Sequence, residues 1–289
     1  MKWPAGYDIA AAENLAAVVH VMKREELDGQ TRAELLTVAH ELADIARVQT
    51  LSWFRNPDLA AANKLSGGFD PVTQADRAAE AALRDHLAVV RPDDGVLGEE
   101  FPPLESRTGL TWIIDPIDGT RGFMSGTPCW GVLIALADAR GPFLGVIDQP
   151  YIGERFLGGL GAADMTWPQG RRALGTRETR ELAEAIMFTT FPEIGTPLER
   201  AAFERVAAQV KLTRYGMDCY AYALLAAGHV DLVIEAGLNA YDIAAPIAVI
   251  EAAGGVVSDW QGGRPGDSGR ILAAANPVLH ASAMAVLND

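Results

Sequence analysis

The sequence predicts a layered α/β fold, and three observations carry that reading. Helical periodicity dominates the first 90 residues, short apolar runs bounded by Gly, Pro or Asp fill the middle, and strand and helix patterns alternate after about residue 180. Residues 8 to 24 place Ala12, Leu15, Val19 and Met22 on one face. Residues 31 to 54 repeat the pattern with Leu35, Ala39, Leu42 and Ala46, and Thr31 is expected as the N-cap. A third helix is expected over 71 to 90, with Val72, Ala75, Ala79, Leu83 and Leu87 in register, after the flexible Gly67-Gly68 pair. Strands are expected at Val96-Leu97, Thr111 to Ile114, Gly131 to Ala137, Phe143 to Asp148 and Arg155 to Leu157. Beyond them the order reads strand 186 to 190, helix 197 to 210, strand 211 to 214, helix 217 to 227, strand 230 to 235, helix 242 to 253, strand 255 to 259, strand 271 to 274 and a helix from 277. The change of rhythm divides the chain into an N-terminal unit, 1–180, and a C-terminal unit, 181–289.

Charge narrows the function. The 289 residues carry a net charge of −14, from 38 acidic and 24 basic residues. With no long Lys/Arg run, such a surface repels nucleic acid and anionic membranes. It also repels a phosphorylated substrate, so phosphate chemistry on this chain needs metal ions, a helix N-terminus, or both, to neutralise the ester locally. Cys129 and Cys219 set no disulfide framework, and the apolar stretch from Leu15 to Met22 is too short to span a bilayer and lacks the start of a secretory peptide. A cytoplasmic location is expected. The histidines at 20, 40, 86, 229 and 280 are scattered without ligand spacing.

The segment Trp112-Ile113-Ile114-Asp115-Pro116-Ile117-Asp118-Gly119-Thr120 holds the densest chemistry. An apolar strand ends in a carboxylate, Pro116 is expected to stop the ladder, and a second carboxylate follows three residues on. Asp115, Asp118 and the Ile117 carbonyl offer hard oxygen ligands suited to Mg²⁺. Gly119 and Thr120, at the start of a short helix, would face N–H groups to phosphate oxygens. The plainer reading is that Asp-Pro and Asp-Gly are turn formers after a strand. Gly98-Glu99-Glu100 reads as a further carboxylate source or as a solvated acidic loop. Asp242 reads as an N-cap at the start of its helix, with Pro246 near the first turn. Asp70 and Asp76, flanking Val72-Thr73, read as charges stabilised by a helix dipole.

Taken together, Asp115-Pro116-Ile117-Asp118-Gly119-Thr120, Gly98-Glu99-Glu100, and Tyr241-Asp242-Ile243-Ala244-Ala245 running to Glu251-Ala252-Ala253-Gly254-Gly255 resemble the inositol monophosphatase superfamily over residues 60 to 275. Tyr241 stands where Trp is frequent in that family. The resemblance implies an αβαβα sandwich, a homodimer, Mg²⁺-dependent phosphomonoester hydrolysis with two to three ions per site, and inhibition by Li⁺. It implies that Glu99, Asp115, Ile117 (by its carbonyl), Asp118 and Asp242 hold the metals. Asp70 and Thr120, with Glu99, would serve the attacking water, and Gly119 and Thr120 would cradle the phosphate. The N-terminal unit would then carry most ligands, and the C-terminal unit Asp242 and the substrate contacts.

Within the superfamily the chain looks most like the bacterial histidinol-phosphatase branch. The pointers are Thr120-Arg121-Gly122-Phe123, Gly126-Thr127-Pro128-Cys129-Trp130-Gly131, and Arg214 through Tyr222. Asp218, expected in the first turn of its helix, would bind the ammonium that histidinol phosphate has and inositol phosphate lacks; its plainer reading is again helix charge. Glu235, seven residues before Asp242, matches a family position that contacts the polar substrate body, or is a solvated strand end. The alternatives are an inositol-1-monophosphatase, a 3′(2′),5′-bisphosphate nucleotidase, and a regulatory protein that keeps the fold without the chemistry.

Overall fold

The computed structural model describes residues 22, 24–59, 61–63, 71–265 and 269–289. The first expected helix lies almost wholly outside these residues, and Asp70 lies outside them. Helix α1 (Gly29–Trp53) starts two residues before the expected N-cap: the cap is Asp28, whose carboxylate accepts from Thr31 N at 2.7 Å. Strand β1 (Ala61–Asn63) pairs antiparallel with β2 (Pro71–Thr73), so helix α2 (Gln74–Val90) begins three residues later than its periodicity suggests. Its stripe Ala75, Ala79, Leu83 and Leu87 is buried.

A seven-stranded sheet follows: β3 (Gly95–Gly98), β4 (Thr111–Asp118), then after the short α3 (Thr120–Met124), β5 (Gly131–Asp138), β6 (Gly141–Gln149), β7 (Glu154–Gly159), β8 (Ala162–Trp167) and β9 (Gly170–Ala173), in that spatial order. Only β3 and β4 run parallel. The last two strands escape periodicity because β9 is exposed at every position and β8 buries only Met165.

The second sheet is built from β10 (Ile186–Thr189), α4 (Pro197–Ala207), β11 (Leu212–Tyr215), α5 (Cys219–Ala226), β12 (Leu232–Glu235), α6 (Ala240–Ala252), β13 (Val256–Ser258), β14 (Ile271–Ala274) and α7 (Pro277–Leu287). Its order is β11-β10-β12-β14-β13, with β10 parallel to both neighbours.

Three apolar cores stack these parts into five layers, α-β-α-β-α. Leu35, Leu42, Leu83 and Leu87 of the first helices pack on Trp112, Ile114, Ile134 and Val146 from one face of the large sheet. Ile113, Leu133, Ile147 and Phe156 from its other face meet Ala221, Leu225, Ile243 and Ile247 of α5 and α6, and the same core takes in Val233 and Ile271 of the small sheet. Phe203, Val206, Leu279 and Ala283 of α4 and α7 cover the far face of that sheet. The middle core therefore mixes residues from both sides of position 180. Helix α6 sits close to the large sheet: a Cβ on Gly145 would lie 2.4 Å from the Ala245 carbonyl. That contact fixes the helix three residues beyond Asp242. Among the described residues, no helix is long and apolar enough to cross a membrane.

Candidate active site

The site begins where β4 meets β5. In a regular strand, residues three apart face opposite sides of the sheet. Pro116 does not stop this strand; pairing continues to Asp118, with a register shift between Asp115 and Asp118. The irregularity takes up the missing ladder donor of proline and brings both carboxylates to the same side. Asp115 Oδ1 accepts from Ile117 N at 3.0 Å, and the Ile117 side chain is buried with Phe54, Phe123 and Trp130, which holds its carbonyl in place. Thr120 Oγ1 donates to that carbonyl at 3.1 Å, leaving one lone pair for another partner. Asp118 Oδ2 accepts from Cys219 N at 2.6 Å, tying the head of α5 to the strand.

Two helix starts add carboxylates. Asp242 is the third residue of α6 and not its cap; Asn239 caps, and Asp242 Oδ2 accepts from Asn239 N at 2.5 Å. Pro246 therefore lies inside the helix, where it cannot donate to the carbonyl of Asp242. Asp76 repeats the pattern at the third residue of α2: its Oδ2 accepts from Thr73 N at 2.9 Å and from Thr73 Oγ1 at 2.5 Å. Asp115, Asp118 and Asp242 bring ligand oxygens within 4.8 Å of one another. Glu99 is not one of that trio, but its charge reaches Asp115, Asp118 and Asp76. Glu80, fully buried, accepts from Glu100 N at 2.7 Å and so fixes the backbone that carries Glu99.

The electrostatics are those of crowded acids. Burial, then the charges of Glu99, Asp118 and Asp242, hold the Asp115 carboxyl well above the usual carboxylate range. Burial and Asp242 push Asp118 up to about 7, against the Cys219 donor. Burial lifts Asp76 to about 6, with Glu100 and Glu99 adding to it. Hard oxygen donors that repel one another at this range suit a divalent cation such as Mg²⁺, whose charge reverses the penalty. The donor set thus fits a metal centre.

Beside the trio, Gly119 adopts φ +85°, and a Cβ there would lie 2.9 Å from the Cys129 carbonyl and 3.0 Å from Asp218 Cγ. Only glycine fits this turn into the five-residue α3. Asp218 precedes α5 in place of lying in its first turn. It makes no side-chain cap, and holds φ +47°, a strained backbone for a residue with a side chain. Burial and Asp118 push its carboxyl up to about 8, while Arg121 pulls the other way. Glu235 is not a solvated strand end: it is 4% exposed and accepts from Thr189 Oγ1 at 3.1 Å, Thr190 N at 2.7 Å and Thr190 Oγ1 at 2.9 Å. Burial lifts it to about 7, with Asp218 contributing.

Of the residues singled out from sequence, the structure gathers Glu99, Asp115, Ile117, Asp118, Gly119, Thr120, Asp218, Glu235 and Asp242 around the ends of β3, β4, α5, β12 and α6. Asp76 reads from sequence only as helix charge, yet it joins the acidic group. The signal is Thr73-x-x-Asp76, a capping box that buries its carboxylate. Thr189 and Thr190 carry no motif. Nearby, Tyr222 is buried, and Tyr220 Oη donates to Glu154 at 2.6 Å.

The profile of the inositol monophosphatase family matches residues 31–289. The chain is 36% identical to a bifunctional phosphatase, IMPL2, of Arabidopsis thaliana, over 91% of this chain and 80% of that protein. It is 36% identical to a histidinol-phosphatase of Mycobacterium tuberculosis, over 88% of this chain and 97% of the relative. A solved inositol monophosphatase from Zymomonas mobilis superposes with a TM-score of 0.78 at 36% identity, covering 89% of this chain and 98% of the other.

Proposed function

The chain belongs to the inositol monophosphatase family, and on that premise we propose that it is a Mg²⁺-dependent phosphomonoesterase that hydrolyses L-histidinol phosphate to L-histidinol and phosphate. A cytoplasmic homodimer working in histidine biosynthesis goes with this reading. Asp115, Asp118 and Asp242, with Glu99 and the Ile117 carbonyl, would hold the metal. When bound, Mg²⁺ supplies Lewis-acid polarisation of the phosphate and a lowered pKa for water. Backbone N–H groups of Gly119 and Thr120 orient the phosphate. Thr120 Oγ1, already donating to the Ile117 carbonyl, and Asp76, held by Thr73 N and Oγ1, position the attacking water. Asp76 thereby takes the part that the resemblance gave to Asp70.

One observation carries the choice of substrate. Asp218 is a half-buried carboxylate pressed against the Gly119 turn, with Asp118 beside it and Glu235 within its field. An ammonium group would relieve the cost of ionising two carboxylates crowded together here, whereas an adenine nucleotide with a second phosphate would add to it. Inositol 1-phosphate is the second reading, favoured by the Zymomonas neighbour at the same 36% identity. Turnover of histidinol phosphate, inositol 1-phosphate and 3′-phosphoadenosine 5′-phosphate, measured side by side in Mg²⁺ buffer, tests the reading. Histidinol phosphate is expected to give the highest kcat/KM. A higher value for inositol 1-phosphate would shift the assignment, and release of phosphate from none would leave a regulatory protein on a phosphatase fold.

A further inference from the structure

We propose that Phe191 is a specificity-determining residue: its ring, with the Arg121 guanidinium over it, forms the wall against which the flat ring of an imidazole-bearing leaving alcohol packs. The inference rests on the histidinol phosphate reading above.

Phe191 leaves the end of β10 directly after Thr190, whose N and Oγ1 both donate to Glu235. Strand β10 lies between parallel neighbours β11 and β12. The chain passes from β10 to β11 on one side and then crosses to β12 on the other, so the order of strands reverses about β10. Ligands in α/β sheets bind beyond the carboxyl ends of strands at such a reversal. Phe191 stands at that edge.

Arg121 arrives from the other side, one residue after Thr120 on the turn that faces the phosphate. Its Cζ lies 4.8 Å from the centroid of the Phe191 ring. The pair therefore joins the phosphate turn to the strand ends that carry Glu235, and Arg121 also acts on the charge of Asp218. Phe191 is 43% exposed. Among the described residues it belongs to none of the apolar cores, so core packing does not account for its ring.

A phenyl ring and a guanidinium plane both offer flat faces to an aromatic heterocycle. Imidazole is flat and stacks on such a surface. An inositol ring is puckered and carries most of its hydroxyls around its rim, so it meets such a surface through a few axial C–H groups and gains less there than a flat heterocycle. The pair would separate two esters whose phosphates are handled identically.

The test compares wild type, Phe191→Leu and Phe191→Tyr in Mg²⁺ buffer, with KM and kcat for histidinol phosphate and inositol 1-phosphate. For Phe191→Leu, KM for histidinol phosphate is expected to rise roughly two- to tenfold, the span of one aromatic stacking contact, with kcat and the inositol phosphate KM little changed. Phe191→Tyr, which keeps the ring, is expected to restore the wild-type KM. An unchanged KM for histidinol phosphate in Phe191→Leu, or equal changes for both esters, would overturn the proposal; the second pattern would mark Phe191 as a structural contact only. Failure of the wild type to hydrolyse histidinol phosphate would instead sink the reading beneath it, so the two failures are distinct.

Discussion

Replacing Asp76 by asparagine removes a charge that the fold holds at a cost, and the pH dependence of that cost follows from the geometry. Asp76 is 1% exposed, and burial lifts its carboxyl from 3.8 to about 6, while Thr73 N and Oγ1 donate to it. The folded chain therefore binds this proton more tightly than the unfolded chain. Its stabilising share is full below about pH 4 and is lost as pH rises through about 6. The span from 3.8 to about 6 corresponds to about 3 kcal/mol at pH 8, of which about 1.5 kcal/mol is already lost at pH 5. Burial depresses His40 and His280, which gain stability as pH rises over part of the same window, so wild type alone does not isolate Asp76. Those histidines, and the raised carboxyls of Asp118, Asp218 and Glu235, are common to both proteins and cancel in the difference. Calorimetry in EDTA is expected to show Asp76→Asn gaining on wild type between pH 5 and pH 8 by about 1.5 kcal/mol, roughly 3 °C in Tm for a chain of this size. Saturating Mg²⁺ is expected to shrink that gain, because a cation offsets the same charge. Phosphatase turnover of the variant should fall although its fold is firmer. A gain that is equal at both pH values, or a loss at pH 8, would refute the reasoning.

Other expectations follow from the same geometry. Asp115→Asn and Asp242→Asn each remove a ligand charge, and turnover is expected to fall by about 100-fold or more, roughly 3 kcal/mol of transition-state stabilisation; titration calorimetry with Mg²⁺ should show weakened binding, and near-normal turnover in either would contradict the site. Gly119→Ala forces a Cβ to 2.9 Å from the Cys129 carbonyl at φ +85°, so a loss of about 1–3 kcal/mol in urea unfolding is expected. Asp218→Ala should raise KM for histidinol phosphate more than for inositol 1-phosphate; equal effects would reject Asp218 as the group that reads the amine.

The layers and the pair Asp115 and Asp118 were legible because both rest on local pattern; Asp242 joined them only through the family resemblance. Leu83 and Leu87 announce their helix by spacing, and Asp115 and Asp118 sit in one short segment that ends an apolar strand. What periodicity missed was set by tertiary structure. β9 shows no apolar alternation because it is exposed along its whole length, and it is a strand only because β8 pairs with it. Pro116 was expected to end β4, but the register shift absorbs it, and pairing decided the matter over local preference. Thr31 lost its cap to Asp28, which lies where α1 actually begins. Asp218 and Glu235 could be assigned roles but not surroundings: a strained φ and a buried carboxylate with three hydroxyl or amide donors are products of packing between distant segments. Asp76 was visible as a residue and hidden as a site, since a first-turn acid reads the same whether it faces water or other acids.

The most direct test of the account is anomalous diffraction from crystals soaked in Mn²⁺, used as a stand-in for Mg²⁺. Anomalous density is expected between the carboxylates of Asp115, Asp118 and Asp242, absent from crystals of Asp115→Asn. Ordered protein with Mn²⁺ bound elsewhere, or with no ion among those three side chains, would contradict it.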